Sequence, residues 1–362
     1  DFKMQPSGML TYFDNSPSKL KFYGLDSTYT VVDSFDVGNG YDVPDFHDLQ
    51  VLPNRHALLM IYDDQPVRMD LVFPGGDPNA IVTGLVLQEI DASKNVVFQW
   101  RSWDHFEITD ADNCVVDLTD SEVDYVHANA IERDTDGNWL ISSRHMNEIT
   151  KISRTTGNII WRMGFNAYNN QFSFFGDLRG FSHQHDIRRL PNGNLSIYDN
   201  GNCIVPEYSR GLEYFVDEGN KTATLVWEYR DDPDTYGRAT GNVQRRAGGT
   251  MVNWGFGRKV TDLHPDDSKS LEVVFGQANM STYRAFRFPW TTSQFLLNQS
   301  SIDFGQVAMG DPTARPPNLR NRWNRTTEID AFVSTSSWFR VRYATPISIP
   351  AGGNTTVQVV FK

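Results

Sequence analysis

The chain has 362 residues, of which 39% are hydrophobic and 13% aromatic, a composition that excludes a disordered chain and calls for a packed core. Its formal charge of −12 argues against a nucleic-acid partner, which would want a basic face; the nearest basic run, Arg315, Arg320, Arg322 and Arg325, reads as a solvated loop. No run of about 18 apolar residues occurs, so no membrane span is predicted, and the length suits one large repeat domain with a small one beside it.

The chain opens at Asp1 with no initiator Met and no charged-then-apolar leader. Either residues are missing, or this is a mature product whose export signal has been removed; the second reading is preferred. Six Asn-x-Ser/Thr sequons, at Asn194, Asn220, Asn279, Asn298, Asn324 and Asn354, are weak support for a secreted, periplasmic or cell-surface location. Cys114 and Cys203 are the two cysteines. They are too few for a disulfide framework and not spaced as a metal clip, but they could pair if the fold brings them together.

One phrase recurs along the chain: a polar start, a turn rich in Pro, Asn or Gly, then a short apolar strand. It runs from His47 to Asn54 and on to Ala57–Tyr62, from His127 to Asp134 and on to Gly137–Ser142, and from His185 to Asn194 and on to Leu195–Tyr198. A degraded copy begins at Asn242. Asp-Gly and Asn-Gly supply the positive φ of tight hairpins, and the flanking runs are β-branched or aromatic. A second phrase follows each first one and ends on an aromatic residue: Trp100, Trp161, Trp227 and Phe275. Two hairpins per period make four strands, and a four-stranded unit recurring every roughly 40–60 residues describes a β-propeller. The fold class is therefore all-β. Six blades are expected, one of them closed by N-terminal residues, with an array of sandwiches as the structural alternative. Helices should be few.

After Trp290 the period stops. Ser301–Gly310, Trp338–Arg342 and Pro346–Phe361 alternate apolar with small or polar residues. This predicts a small immunoglobulin-like β-sandwich over 293–362, after a propeller over 1–292. Its Asp303-Phe-Gly and Ile349-Pro-Ala-Gly phrases resemble accessory sandwiches appended to exported bacterial proteins, which implies self-assembly or surface attachment through this part.

Chemistry points to the repeat starts. His47, His127 and His185 open the same phrase in three units, and equivalent inner-strand positions of a propeller converge on its axis. A structural role is the usual reading of one such histidine, but the fourth copy starts with Asn242, so the fold does not demand histidine there. Three imidazoles could bind zinc. Arg144, at the end of the strand following His127, opposes a dication and offers a planar fork for an oxyanion. No metal or cofactor is expected.

Val126-His-Ala-Asn-Ala-Ile, Leu140-Ile-Ser-Ser-Arg-His145, Gly157-Asn-Ile-Ile-Trp-Arg-Met-Gly164, Gln184-His-Asp186 with Tyr198-Asp-Asn-Gly201, and Trp103-Asp-His-Phe106 together resemble the arylsulfotransferase family, in its shorter branch. That resemblance covers roughly residues 40 to 290 and implies an exported six-bladed propeller. It implies sulfuryl transfer from an aryl sulfate to a phenol, without a nucleotide donor, through a covalent intermediate on the histidine matching His185. His127 and Arg144 would hold the sulfuryl oxygens, and His47 would protonate the leaving phenolate or share that task. Asn129 and Asn200 are candidate substrate-binding or supporting partners, with turn formation as the alternative. His105 and His145 read as structural or supporting, and His183 is undecided. The competing function is a non-catalytic exported propeller serving surface assembly, because a fold alone does not fix a function. The enzyme reading requires the three imidazoles and the guanidinium in one pocket open to solvent.

Overall fold

The structure is a computed structural model that describes residues 2–277, 279–290, 295–297, 302–307, 313–321, 326–329, 332, 337–343 and 346–361. Its described residues fall into two compact units, Asp1–Gly24 with Asp33–Phe288, and Leu25–Val32 with Pro289–Lys362. The protein is all-β, and its described helices are five single 3₁₀ turns.

Five sheets are each built on four consecutive antiparallel strands. The first comprises Phe2–Met4, Leu10–Asp14, Lys21–Leu25 and Val31–Phe35; the second Leu49–Val51, Ala57–Val67, Ala80–Ile90 and Val96–Arg101. The third comprises Ala128–Arg133, Trp139–Ser143, Glu148–Ile152 and Ile159–Met163. The fourth comprises His185–Arg189, Leu195–Asp199, Arg210–Asp217 and Thr222–Tyr229; the fifth Asn242–Arg246, Gly249–Asn253, Lys259–Leu263 and Lys269–Val274. Glu122–Asp124 and Ser173–Phe175 add parallel edge strands to the second and fourth.

The hairpin chemistry is the one the sequence announces. Gly137 and Gly193 take φ of +87° in their Asp-Gly and Asn-Gly turns, which only glycine adopts without strain. The strands that follow, Trp139–Ser143 and Leu195–Asp199, are buried along their whole length. The outermost strand Lys269–Val274 is exposed along its whole length. First strands of the second, third, fourth and fifth sheets pack against one another in turn, the propeller-like arrangement that carries their starts towards one place. Trp139, Trp161 and Trp254 fill the layers between sheets.

Six blades were expected and five four-stranded sheets are described. The first 35 residues form a complete sheet instead of closing a later one, and the described residues from 275 to 290 contain no strand. That stretch does something else. Arg284 donates to the carbonyls of His47 (2.9 Å) and Asn129 (2.7 Å) and pairs with Asp48 (3.1 Å) and Asp186 (2.9 Å). It therefore ties together the first-strand regions of three sheets. Asp48 also takes Arg188 at 3.0 Å and Lys3, so a buried network of charges links the starts of these strands.

In the other unit, Phe295–Leu297, Asn318–Asn321 and Asn354–Thr356 form one antiparallel sheet, and Thr313–Arg315, Phe339–Arg342 and Gln358–Phe361 form another. Thr327–Ile329 pairs with Ile347–Ile349. Ile302–Val307, expected as part of a strand, is irregular. Arg315 and Arg320 lie on strands and not in a loop. Arg322, Arg325, Ser301, residues 308–310 and the sequons at Asn298 and Asn324 lie outside the described residues.

Candidate active site

The strand starts carry the site. His127 has φ of +43°, a strained backbone for a non-glycine residue. The register slips between Ala128 and Ala130 and again between His185 and Arg188. Each slip is a bulge at the entrance of a first strand, the device that re-aims a side chain without ending the sheet.

His47, His127 and His145 form a contiguous group. Ring centroids are 5.3 Å apart for His47 and His127 and 4.4 Å apart for His127 and His145. Tyr62 packs on His47 at 5.6 Å and on His127 at 5.8 Å, and Tyr283 meets the edge of His47 at 5.5 Å. Each imidazole is anchored through Nδ1. His47 binds Asp45 Oδ1 at 2.7 Å, His127 binds Asp124 Oδ2 at 2.5 Å, and His145 binds the Asp124 carbonyl at 2.6 Å. Those oxygens only accept, so Nδ1 carries the proton and Nε2 of a neutral ring keeps its lone pair. The two carboxylates also accept the backbone N–H of the histidine they hold, each at 2.9 Å. Burial pushes Asp124 up, but the hydrogen bond and charge of His127 outweigh it and hold the carboxyl below its usual range.

His185 is held differently. Its Nδ1 lies 2.7 Å from Asn200 Oδ1. The Asn200 amide donates to the carbonyls of Gly237 (2.6 Å) and Thr240 (3.0 Å), which fixes Oδ1 as the acceptor and makes His185 the Nδ1–H tautomer. Nε2 then accepts the backbone N–H of Thr240 at 3.2 Å. The residue is only 3% exposed. Burial, then the Arg144 charge, drives its pKa well below the ordinary histidine value, so the ring is neutral. The solvent-open pocket expected around all three imidazoles is thus divided. His127 reaches solvent, His47 is nearly buried at 9% exposure, and His185 lies under residues 237–240, among polar groups.

Arg144 sits in the turn Arg144–Met146, where its backbone N–H donates to the His127 carbonyl at 3.1 Å. Its Nη2 donates to the Arg238 carbonyl at 3.3 Å, and Nε has no partner. Among the described residues no carboxylate comes within ion-pair distance of it. Its charge is nonetheless felt at His145, His183 and His185. A partly buried, incompletely bonded guanidinium retains N–H groups whose planar fork matches an oxyanion.

Asn129 is fully buried at the third-sheet bulge, and its amide donates to the Gln184 carbonyl at 2.8 Å. It positions the residue before His185 and does not line the mouth. Asn200, equally buried, orients His185. The alternative of supporting roles over direct substrate contact thus fits both. His105 stacks on Trp100 at 5.0 Å. His183 is buried with Nδ1 2.7 Å from Ser182 Oγ, and burial pushes it down to about 3. His145, read as supporting, belongs to the ring stack itself. Asp45, Asp124, Tyr62, Tyr283 and Thr240 escaped the sequence reading. The first two had a signal, an Asp two or three residues before a repeat-opening histidine.

Asp124, His127 and His145 each place a ligand atom within 4.8 Å of the others. The carboxylate and carbonyl of Asp124 are already committed to the two Nδ1–H groups. Burial, the neighbouring His127 and the Arg144 charge together push His145 down to about 3, which disfavours further positive charge in this group. Cys114 and Cys203 form a disulfide across 89 residues. It clips the loop of Asp112, whose N–H donates to the His145 carbonyl at 2.7 Å, to the loop that follows Asn200.

Scaffold and site together define an all-β repeat protein with a cluster of histidines and an arginine at its strand starts. The chain matches the family model described as arylsulfotransferase (ASST) over residues 2–283, and it belongs to that family. No curated protein matches it. Among solved structures it is similar to a protein of unknown function from Bacteroides caccae, at 9% identity over 77% of this chain and 82% of that one, with a TM-score of 0.45. It is also similar to virginiamycin B lyase from Staphylococcus aureus (11% identity, 76% and 69% covered, TM-score 0.39). A third is the periplasmic gluconolactonase of Pseudomonas aeruginosa (8%, 73% and 80%, TM-score 0.37).

Proposed function

We propose that this protein transfers a sulfuryl group from an aryl sulfate ester to a phenol by way of a sulfated His185. The observation that carries the reading is Arg144, a guanidinium with no carboxylate partner among the described residues, beside a neutral His185 whose tautomer Asn200 fixes. Family membership supports the same chemistry. With the proton on Nδ1, Nε2 is the nucleophile. It attacks sulfur, the ester oxygen leaves as phenolate, and one difficult transfer becomes two easier ones. Arg144, joined by His127 when its Nε2 also carries a proton, holds the sulfuryl oxygens as charge shifts onto the leaving group, which is where preorganised donors are most effective. The Thr240 N–H must release Nε2 before attack, so donor binding displaces residues 237–240. No metal or cofactor takes part.

The disulfide supports an exported protein, since such bonds persist in oxidising compartments. Within the same proposal, a sixth blade completes the propeller, and residues 293–362 are an immunoglobulin-like module for self-assembly or surface attachment. The test is steady-state kinetics with a chromogenic aryl sulfate and a phenol acceptor, for wild type and His185→Ala. Ping-pong turnover in wild type that vanishes in the variant is the expected result. A folded protein inert towards a panel of donors would favour the non-catalytic assembly role.

A further inference from the structure

We propose that the recess beside His47 is the seat of the acceptor's aromatic ring, with the Asp45–His47 pair as the base that takes the phenol's proton; this rests on the sulfuryl-transfer reading above. The recess has a volume of about 240 Å³ and is walled by Phe13, Leu20, Val43, Pro44, Phe46 and Tyr62. An apolar cavity of about 150 Å³ already accommodates benzene, so a substituted phenol fits.

Three observations tie the recess to the reaction. Its wall is continuous with His47: Phe46 stacks on that imidazole at 4.5 Å and 19°, and Tyr62 stacks on it at 5.6 Å and 19°. Phe46 is also 50% exposed, an aromatic face left to solvent next to a reactive group, as expected of a ring platform. Finally, Asp45 is the one charged residue in the lining. A carboxylate there disfavours an anionic sulfate ester and tolerates a neutral phenol, whereas Arg144 does the reverse. The sulfuryl group and the aryl ring, leaving group first and acceptor afterwards, are therefore sorted by charge into neighbouring subsites.

Asp45 holds Nδ1–H of His47, which leaves Nε2 to receive a proton. In the second half-reaction the phenol oxygen bonds to sulfur as the bond between sulfur and His185 Nε2 breaks. That electron pair returns to the His185 ring, and the phenol's proton passes to His47 Nε2 and then to water. The N-terminal sheet contributes Phe13, so the first strands of the chain serve acceptor choice.

The test uses the full chain and two readouts. Calorimetric titration with 4-methylphenol, without any donor, measures the seat directly. Phe46→Ala should weaken binding by roughly three- to tenfold, and equal binding by both proteins overturns the proposal whatever the turnover. Stopped-flow release of phenolate from a chromogenic aryl sulfate separates the donor step. Phe46→Ala should raise the acceptor KM by a similar factor, and with it the donor concentration that gives a half-maximal burst, because the leaving aryl group uses the same seat. Asp45→Asn should slow turnover most for weakly acidic phenols, which need the base most; a uniform loss across acceptors would make Asp45 merely structural. Failure of the burst in wild type would sink the sulfuryl-transfer reading, while the calorimetric result would still decide the seat.

Discussion

Two guanidinium groups approach the starts of the inner strands, and they are held in opposite ways. Arg284 is buried, with Asp48 and Asp186 as ion-pair partners and two backbone carbonyls as acceptors. Arg144 has one carbonyl and an unpartnered Nε. The same side chain is a structural bolt where carboxylates surround it, and keeps its charge uncompensated where they are withheld, as the proposed anion-binding role requires. The imidazoles divide along similar lines. Asp45 and Asp124 hold the rings at the mouth, whereas a neutral amide holds His185. A carboxylate partner stabilises an imidazolium and suits proton transfer; an amide fixes the tautomer and favours the cation less than a carboxylate does, so burial and the Arg144 charge keep the ring neutral, as suits a nucleophile.

The sharpest way to break this contrast is to exchange the roles. Arg284→Met should cost about 3–5 kcal/mol of stability, because it strands buried carboxylates; urea unfolding would measure it. Arg144→Gln should leave the midpoint of unfolding nearly in place and instead lower kcat by about 10²–10³-fold, the cost of losing a donor aimed at developing charge. If both variants lose stability alike, Arg144 is structural and the contrast fails. Cys114→Ser with Cys203→Ser should cost about 2–4 kcal/mol, as the clip closes a long loop. Its effect on catalysis should exceed that of Arg284→Met among molecules that remain folded, because it braces the mouth and not the floor.

Smaller effects lie in pH dependence. Burial pushes His145 and His183 from 6.5 down to about 3. The unfolded chain therefore binds their protons first, and their contribution to stability is present above pH 6.5 and lost as pH falls towards about 3. Burial pushes Glu132, at the charged floor, from 4.5 up to about 7. Here the unfolded chain ionises first, so stability falls as pH rises from about 4.5 to about 7. Denaturant melts of Glu132→Gln across that window should lose the alkaline slope, and His183→Gln should lessen the acid one.

The site was legible where it coincides with the repeat. His47, His127 and His185 open equivalent phrases and Arg144 ends the strand after His127, so periodicity singles them out; the structure joins His47 to His127 and sets His185 apart under residues 237–240. Thr240 and Tyr283 belong to stretches with no repeat, and their approach depends on how irregular backbone folds over the strand starts. Asn129 looked like a substrate contact because a bulge turns it inwards, and a bulge leaves no mark in hydrophobic alternation. The N-terminal sheet escaped for a related reason. Its turns, Pro6-Ser7-Gly8 and Asn15-Ser16-Pro17, carry neither the opening histidine nor the closing tryptophan of the repeat.

The most direct measurement is the location of the sulfuryl group after the enzyme meets a donor alone. Wild type would be mixed with an aryl sulfate, quenched, digested and examined by mass spectrometry under conditions that preserve the nitrogen–sulfur bond. The account predicts stoichiometric phenolate release and one sulfuryl group on His185, both absent in His185→Ala. An adduct on His47 or His127, or a burst that survives the loss of His185, would contradict it.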